Sequence, residues 1–588
     1  MAHRKGDIGK FWRLEMSKNN DAITLLEKNF DIAFAAPDGI KKLRELILSL
    51  AMQGKLVPQN PSDQPASELL KEIEAEKSRL IKDGKIKASN PFLEIKSDEV
   101  PYDLPKGWEW VRLREIANYN GRTNISPEQI EPDTWLLDLE DIEKDTSRII
   151  YRAKYAERES KSTKSTFLKG DVLYGKLRPY LNKVVVADDD GVCTTEIVPI
   201  VLFGDIDSHF LKWALKRSAF LDYVNSLMYG VKMPRLGTEQ AIASIHPLPP
   251  LAEQRRIVTK IDELMARCDE LEKLKTERNQ KQIIVHKSAL NRLLTAKDHS
   301  DFKTSWHFIT QHFGELYSVK ENVAELRKAI LQLAVMGKLV PQDNNDQPAN
   351  ELLKEIEKEK NRLVTEKKLK IGQLTSDTKR ISENIVIPSS WVWVKGVDLF
   401  FITKLAGFEY TEHINLLDDG EVPVIRAQNV KPFRLDLNNL KYIDLKTSKL
   451  LERCALTKES LLVTFIGAGI GDVALFDFQE RWHLAPNVAK MEPFLDCENK
   501  VNLKYIACFL NSPLGRDEIF KHLKSTAQPS ISMGTIRDID YPLPPLVEQH
   551  RIVAKIDQLM TLCNELEKQI DAAESKQTNL LNSVMTKI

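Results

Sequence analysis

GKLVPQNPSDQPASELLKEIEAEKSRL, residues 54–80, returns as GKLVPQDNNDQPANELLKEIEKEKNRL at residues 337–363, with 21 of 27 positions identical. Self-similarity at a fixed displacement marks a duplicated architecture, so the chain is best read from this repeat outward. At the same displacement of 283 residues, LPKGWEWV around Trp108 and Trp110 answers IPSSWVWV around Trp391 and Trp393. The correspondence then fades. It resumes at PLPPLAEQRRIVTKIDELMARCDELEK from Pro247 and PLPPLVEQHRIVAKIDQLMTLCNELEK from Pro542, identical at 20 of 27 positions. The displacement is now 295 residues, so the second copy encloses 12 more residues than the first. Two nearly identical frames therefore enclose two interiors, Leu113 to His246 and Val397 to Tyr541, that do not align without gaps. A duplication drifting under packing constraints alone would diverge more evenly, so frame and interior have different jobs. A duplicated domain with loose loops is the simpler alternative.

The downstream frames read as long helices. In the second copy Ile552, Ile556, Leu559, Cys563, Leu566 and Ile570 alternate steps of four and three, and the pattern continues through Ala573, Leu580 and Val584 with Gln577 as its one interruption. A 3.5-residue period held that long is the signature of a left-handed coiled coil. The first copy repeats it at Ile257, Ile261, Leu264, Cys268 and Leu271, then turns polar at Lys275, Arg278 and Gln282. At 1.5 Å per residue, a helix from Glu253 to Thr295 would reach ~64 Å, a length that suits a spacer. Upstream, Leu43 to Leu56 and Leu326 to Leu339 read as short amphipathic helices stopped near Gly54 and Gly337, each followed by a charged helix from Ala66 or Ala349. The charge run of the latter is expected to be a solvated face.

Each interior mixes β-rich strings, such as DVLYGKL and IVPIVLF in the first and SLLVTFIG and DVALFDF in the second, with one helical segment, His209 to Tyr229 or Leu503 to Lys524. The expected fold class is α+β, with two α/β domains of roughly 140 residues separated by long helices in an internal pseudo-twofold repeat. The expected divisions are 1–100, 101–250, 251–385, 386–545 and 546–588, with the interiors in the second and fourth.

Composition bounds the function. Lys plus Arg and Asp plus Glu both number 85, so any nucleic-acid surface must be local. Six scattered cysteines suggest neither a zinc knuckle nor a redox dithiol and fit a reducing cytoplasm. The charged stretch from His3 to Arg13 lacks an apolar core, and no run of ~18 apolar residues occurs, so neither secretion nor a membrane is expected. Met16 is a second candidate start.

TFIGAGIGD, residues 464–472, imitates a Gly-rich nucleotide or S-adenosylmethionine loop, but β-like residues follow it where such loops need a helix N-terminus. Gly467, Gly469 and Gly471 are expected to form a tight turn between strands. The sequence has no Asn-Pro-Pro or Asp-Pro-Pro tetrapeptide, phosphate loop or His-Glu-x2-His helix, and so offers no positive case for catalysis. GDVLYGKLRPYLNK gathers Lys176, Arg178, Tyr180 and Lys183, side chains that suit phosphates, guanine O6 and N7, or stacking. IRAQNVK offers Arg426, Gln428, Asn429 and Lys431, of which Gln and Asn suit adenine. Lys232, Arg235, Gln528 and Ser530 lie at matching places before the downstream frames and complete the DNA-contact candidates. Simple turn residues are the bland alternative for all of them.

The ordered set APDGIKKLRELI, GKLVPQ, PLPPLxEQxRIV and KIDxLM, wrapped around two unlike interiors, resembles the specificity subunits of type I restriction–modification enzymes over nearly the whole chain. The resemblance implies two target recognition domains, each reading one half of a split, asymmetric sequence in double-stranded DNA. It implies that the conserved helices form an antiparallel coiled coil on which two methyltransferase subunits dock, and that restriction subunits join through that assembly. S-adenosylmethionine, ATP and Mg would then belong to those partners, with no cofactor or metal and no catalysis on this chain. A coiled-coil scaffold that binds proteins rather than DNA is the main alternative, favoured by the zero net charge. A methyltransferase with its own cofactor is the other.

Overall fold

The computed structural model describes residues 36–86, 94–158, 161–227, 234–367, 385–467, 469–494, 497, 499–521, 523 and 530–585. They form two compact units, one reaching Glu277 and taking in the residues from Ala573 onward, the other running from Arg278 to Ala572.

In the first unit, α1 (Gly39–Met52) ends where Gly54 turns left-handed at φ +69°, so that the Lys55 and Gly54 amides bond back to the Leu50 and Ala51 carbonyls. A Cβ at Gly54 would meet Pro105 at 2.4 Å, which makes glycine obligatory both for conformation and for space. Gly337 repeats this at φ +68° against Pro388. After α2 (Ala66–Lys82), β1 (Glu109–Arg112) enters the interior and pairs antiparallel with β11 (Ile245–Leu248), its exit strand. The Pro-Trp-x-Trp element and the Pro-rich corner are thus the two sides of one ribbon.

Between them lie β2 (Ala117–Tyr119), β3 (Asn124–Ile125), β4 (Trp135–Leu137), β5 (Ala153–Lys154), β6 (Lys164–Phe167), β7 (Val172–Gly175), β8 (Val184–Val186), β9 (Gly191–Thr194) and β10 (Ile197–Leu202). They make a four-stranded sheet, β2-β10-β7-β8, and a five-stranded one, β3-β6-β9-β4-β5, in which β4 and β9 run parallel. The segment expected as one helix divides into α3 (Ser208–Lys216) and α4 (Ser218–Ser226). The break is at Arg217, whose backbone is extended and whose buried guanidinium donates to the carbonyls of Ala214 and Ile245 and bonds His246. The long helix α5 (Leu251–Leu294) follows.

The second unit takes in the end of α5, then α6 (His299–Gln311), α7 (Lys320–Val335) and α8 (Ala349–Thr365). Its entry and exit ribbon pairs β12 (Val392–Lys395) with β23 (Asp540–Leu543). Within are β13 (Phe400–Lys404), β14 (Val422–Ile425), β15 (Val430–Lys431), β16 (Arg434–Leu435), β17 (Lys441–Ile443), β18 (Ala455–Leu456), β19 (Ser460–Thr464), β20 (Val473–Phe476), β21 (Trp482–Leu484) and β22 (Val488–Pro493). The sheets β13-β22-β19-β20 and β17-β14-β21-β18, with β14 parallel to β21, repeat the strand orders of the first unit apart from its edge strand β3. Interiors that do not align as sequences therefore share one topology. Here the expected helix divides into α9 (Leu503–Leu510) and α10 (Pro513–Phe520), because Ser512 caps a new helix whose first residue is proline. The long helix α11 (Leu546–Met585) closes the chain's described part.

The heptad residues Ile257 to Leu271 and Ile552 to Ile570 are buried or half-buried. Ala573 and Leu580, expected to continue the seam, are exposed, and Leu581 is buried in Leu580's place, as a 3.6-residue helix drifts off a 3.5-residue repeat. Ile257, Ile261, Leu264, Cys268 and Leu271 share a core with Leu43, Leu46, Ile47 and Leu50 of α1 and with Phe210 and Trp213 of α3. Ile552, Ile556, Cys563 and Ile570, with Leu559 and Leu566 beside them, join a core that contains Ala329, Ile330 and Leu333 of α7 and Ala289, Leu290 and Leu293 of α5. The seam is therefore filled by short helices of the same unit as well as by long-helix residues. No helix among the described residues is long and apolar enough to cross a membrane.

Candidate nucleic-acid interface

Each interior is fastened to its long helix by the same side chains. Glu253, 1% exposed, accepts from the Trp108 indole (3.0 Å) and the Gln59 amide (2.6 Å), and Glu548, also 1% exposed, accepts from Trp391 and Gln342 at the same two distances. Burial pushes both carboxyls above the usual carboxylate range, against the pull of those hydrogen bonds. Arg256 meets Asp63 at 2.5 Å and Arg551 meets Asp346 at 2.6 Å. Gln254 and Gln549 accept the backbone N–H ahead of α3 and α9, from Asp207 and Asn502. On the short helices, Arg44 grips Asp269 and Glu272, and Arg327 grips Asn564 and Glu567. These contacts hold each domain at one attitude to its helix in both copies.

The β7–β8 turn and the segment before the second frame, separate in sequence, lie side by side. Leu177 bridges Arg235, the Arg178 amide donates to the Pro234 carbonyl (2.8 Å) and the Leu236 amide donates to the Lys176 carbonyl (3.0 Å). Lys176, Arg178, Tyr180 and Arg235 thus gather at one edge, while Lys232 lies outside the described residues. Their roles differ. Arg235 forks onto Glu196, which holds that carboxyl below the usual range. Lys183 turns inward to the Leu139 carbonyl (2.8 Å), and burial lowers its pKa, so its ammonium is spent inside the fold rather than offered to phosphate. Arg178 is exposed, at φ +50°, and is the one arginine among the described residues of 101–250 whose guanidinium has no partner. Tyr180, 44% exposed, stands two residues away. Beneath the turn, buried Lys216 donates to the carbonyls of Asp145 (2.6 Å) and Asn182 (3.2 Å) and to Ser147 Oγ. Sequence reasoning missed this strut, because its acceptors lie up to 71 residues away and no local pattern marks them.

In the second unit the glycine-rich string is a turn between antiparallel β19 and β20, as expected. Gly467, Gly469 and Gly471 all have φ between +80° and +97°, and a Cβ at Gly471 would strike Phe520 at 2.6 Å. Arg516 clamps the turn through the Gly471 carbonyl and Asp472. Ile466 bridges Ser530 as Leu177 bridges Arg235, so the two turns occupy equivalent places; Gln528 lies outside the described residues. Two candidates are turned to structural use. Asn429 is 1% exposed, accepts from the Arg426 amide and donates to the carbonyls of Asp436 (2.8 Å) and Asn438 (3.3 Å), leaving no amide edge for adenine. Arg426 donates its guanidinium to the Asn439 carbonyl. Gln428 is exposed, and Lys431 is half-buried on β15.

The family model described as type I restriction modification DNA specificity domain matches residues 388–573. The type I restriction enzyme EcoAI specificity subunit of Escherichia coli is 32% identical over 562 residues, covering 93% of each chain. The EcoEI specificity subunit of Escherichia coli is 31% identical over 565 residues with the same coverage. A crystal structure of the HsdS subunit from Thermoanaerobacter tengcongensis aligns over 83% of this chain and 98% of its own at 18% identity, with a TM-score of 0.39. With matching frames around two domains of like topology, and with the EcoAI and EcoEI subunits more than 30% identical over 93% of its length, the chain belongs to the family of type I restriction enzyme specificity subunits.

Proposed function

We propose that this chain is the non-catalytic DNA-specificity subunit of a type I restriction–modification complex, with residues 101–250 and 386–545 each reading one half of a split, asymmetric duplex target. The observation that supports this most is the division of labour between like and unlike parts. The Trp–Glu–Gln and Arg–Asp grips recur residue for residue, while the equivalent turns carry Lys176, Arg178 and Arg235 in one domain and glycines with Ser530 in the other. Identical methyltransferase subunits need identical docking surfaces, whereas two unlike half-sites need unlike readers. On this reading two methyltransferase subunits dock on the frames and hold S-adenosylmethionine, restriction subunits join through them with ATP and Mg, and the complex works in the cytoplasm. The adenine leaves the stack for the methyltransferase pocket, and this chain only positions the duplex.

The test is to express the chain with its methyltransferase partner and sequence the modified bases. A two-part motif with an unread spacer is expected, and methylation without a fixed motif would refute the reading. Filter binding should fall steeply with salt, because phosphate contacts release counterions. A protein-binding scaffold would show no such dependence.

A further inference from the structure

The hairpin of β15 and β16 in the second unit projects a side chain for which the fold has no use. Its tip residue, Phe433, sits at φ +64° and is 47% exposed. A bulky non-glycine residue is an outlier there, and it persists only where the surroundings hold it. They do. The Phe433 amide donates to the Val473 carbonyl (2.9 Å) at the start of β20, directly after the glycine-rich turn. Buried Asn429 fastens the base of the hairpin, with the Asp436 amide donating to the Asn429 carbonyl (2.7 Å). On either side of the tip stand Lys431 and Arg434, neither with an acidic partner among the described residues. Every other described arginine of 386–545 is engaged: Arg426, Arg453, Arg481, Arg516 and Arg537 all donate to carbonyls or acids. The first domain shows the same coincidence independently, in the left-handed, unpaired Arg178 and exposed Tyr180.

We propose that Phe433 stacks on an unstacked base of the half-site read by the second domain, with Lys431 and Arg434 holding the flanking phosphates. This rests on the DNA-reading role proposed above. An exposed ring between two uncompensated cations matches a polyanion whose interior is aromatic, and it suits neither a lipid tail nor an apolar protein face. Apolar wedges and aromatic platforms engage nucleic acid in this way. Asn429 is then a positioning residue that sets the hairpin.

The test uses the full chain with its methyltransferase partner and duplexes carrying 2-aminopurine at successive purine positions across the second half-site and its flanks. Phe433→Gly is the chosen deletion, because glycine accepts the left-handed backbone and an unfolding midpoint at or above wild type certifies the fold. We expect at least one position, other than the adenine that is methylated, where wild type raises fluorescence and Phe433→Gly does not. Affinity should fall roughly 5- to 150-fold, and Phe433→Trp should restore both. Lys431→Ala and Arg434→Ala should each reduce the log–log salt slope by about 0.9. Loss of affinity with an unchanged fluorescence profile would overturn stacking, and unchanged affinity would overturn any role for the tip. In either case the wild-type complex would still methylate its mapped target, so this failure is distinct from failure of the DNA-reading role, in which wild type itself would show no fixed target.

Discussion

At the scale of single residues the frame grips are the most exposed to measurement. Trp108 and Trp391 each donate an indole N–H to a glutamate that is 1% exposed, so deleting the donor strands a buried carboxylate oxygen. Trp108→Phe should lower the stability of the first unit by about 1.5–3 kcal/mol, and Trp391→Phe should do the same to the second. Hydrogen exchange of α1 and α7 peptides would separate the two effects, and a loss confined to one unit for both variants would contradict twin grips. Histidines supply a pH signature. Burial holds His246, His286 and His483 below their ordinary pKa of 6.5, His286 at about 4. The unfolded chain takes up protons first as pH falls. Each neutral imidazole therefore contributes its full stability above pH 6.5 and loses it as pH falls toward the folded value, with a slope for His246 of roughly 1.4 kcal/mol per pH unit. Thermal melts from pH 7 to pH 4.5 should show the decline, and His246→Phe should flatten part of it; a flat wild-type profile would contradict the assignment. Residue types alone pointed to Arg178 and to the glycine turn. They did not separate free side chains from spent ones, since whether Lys183 faces a phosphate or the Leu139 carbonyl depends on a partner 44 residues away.

At the scale of elements, the helices and caps were legible because their rules are local. Gly54 and Gly337 stop their helices where the pattern says, and the heptad positions up to Leu271 and Ile570 are the ones that lose their water, while beyond Ile570 the pattern overreaches and leaves Leu580 exposed. What covers those positions was not legible, because an apolar stripe specifies burial without naming the occupant. The sheets show the same limit. The parallel pairing of β4 with β9 joins strings more than 50 residues apart, and the common topology of the two interiors emerges only once such pairs are drawn. The helices also make a geometric prediction. Lengthening both α5 and α11 by one four-residue turn, ~6 Å, should lengthen the unread spacer of the methylated motif and leave the bases read unchanged. Mapped methylation with the original spacer would show that these helices do not set the distance.

At the scale of the whole molecule, duplication with selective divergence would let a chain of zero net charge carry the two proposed DNA readers. The uncompensated cations Arg178, Lys431 and Arg434 sit in interiors whose acids slightly outnumber their bases, so bulk composition conceals them. The repeat announced that organisation, and the near full-length relatives place the chain in its family. The proposed function requires that the two interiors read independently. It is tested most directly by replacing Leu113–His246 with the interior of a relative of different specificity, keeping both frames, and sequencing the bases modified by the resulting complex. One half of the methylated sequence should change while the other half and the spacer persist; a change in both halves, or in neither, would contradict it.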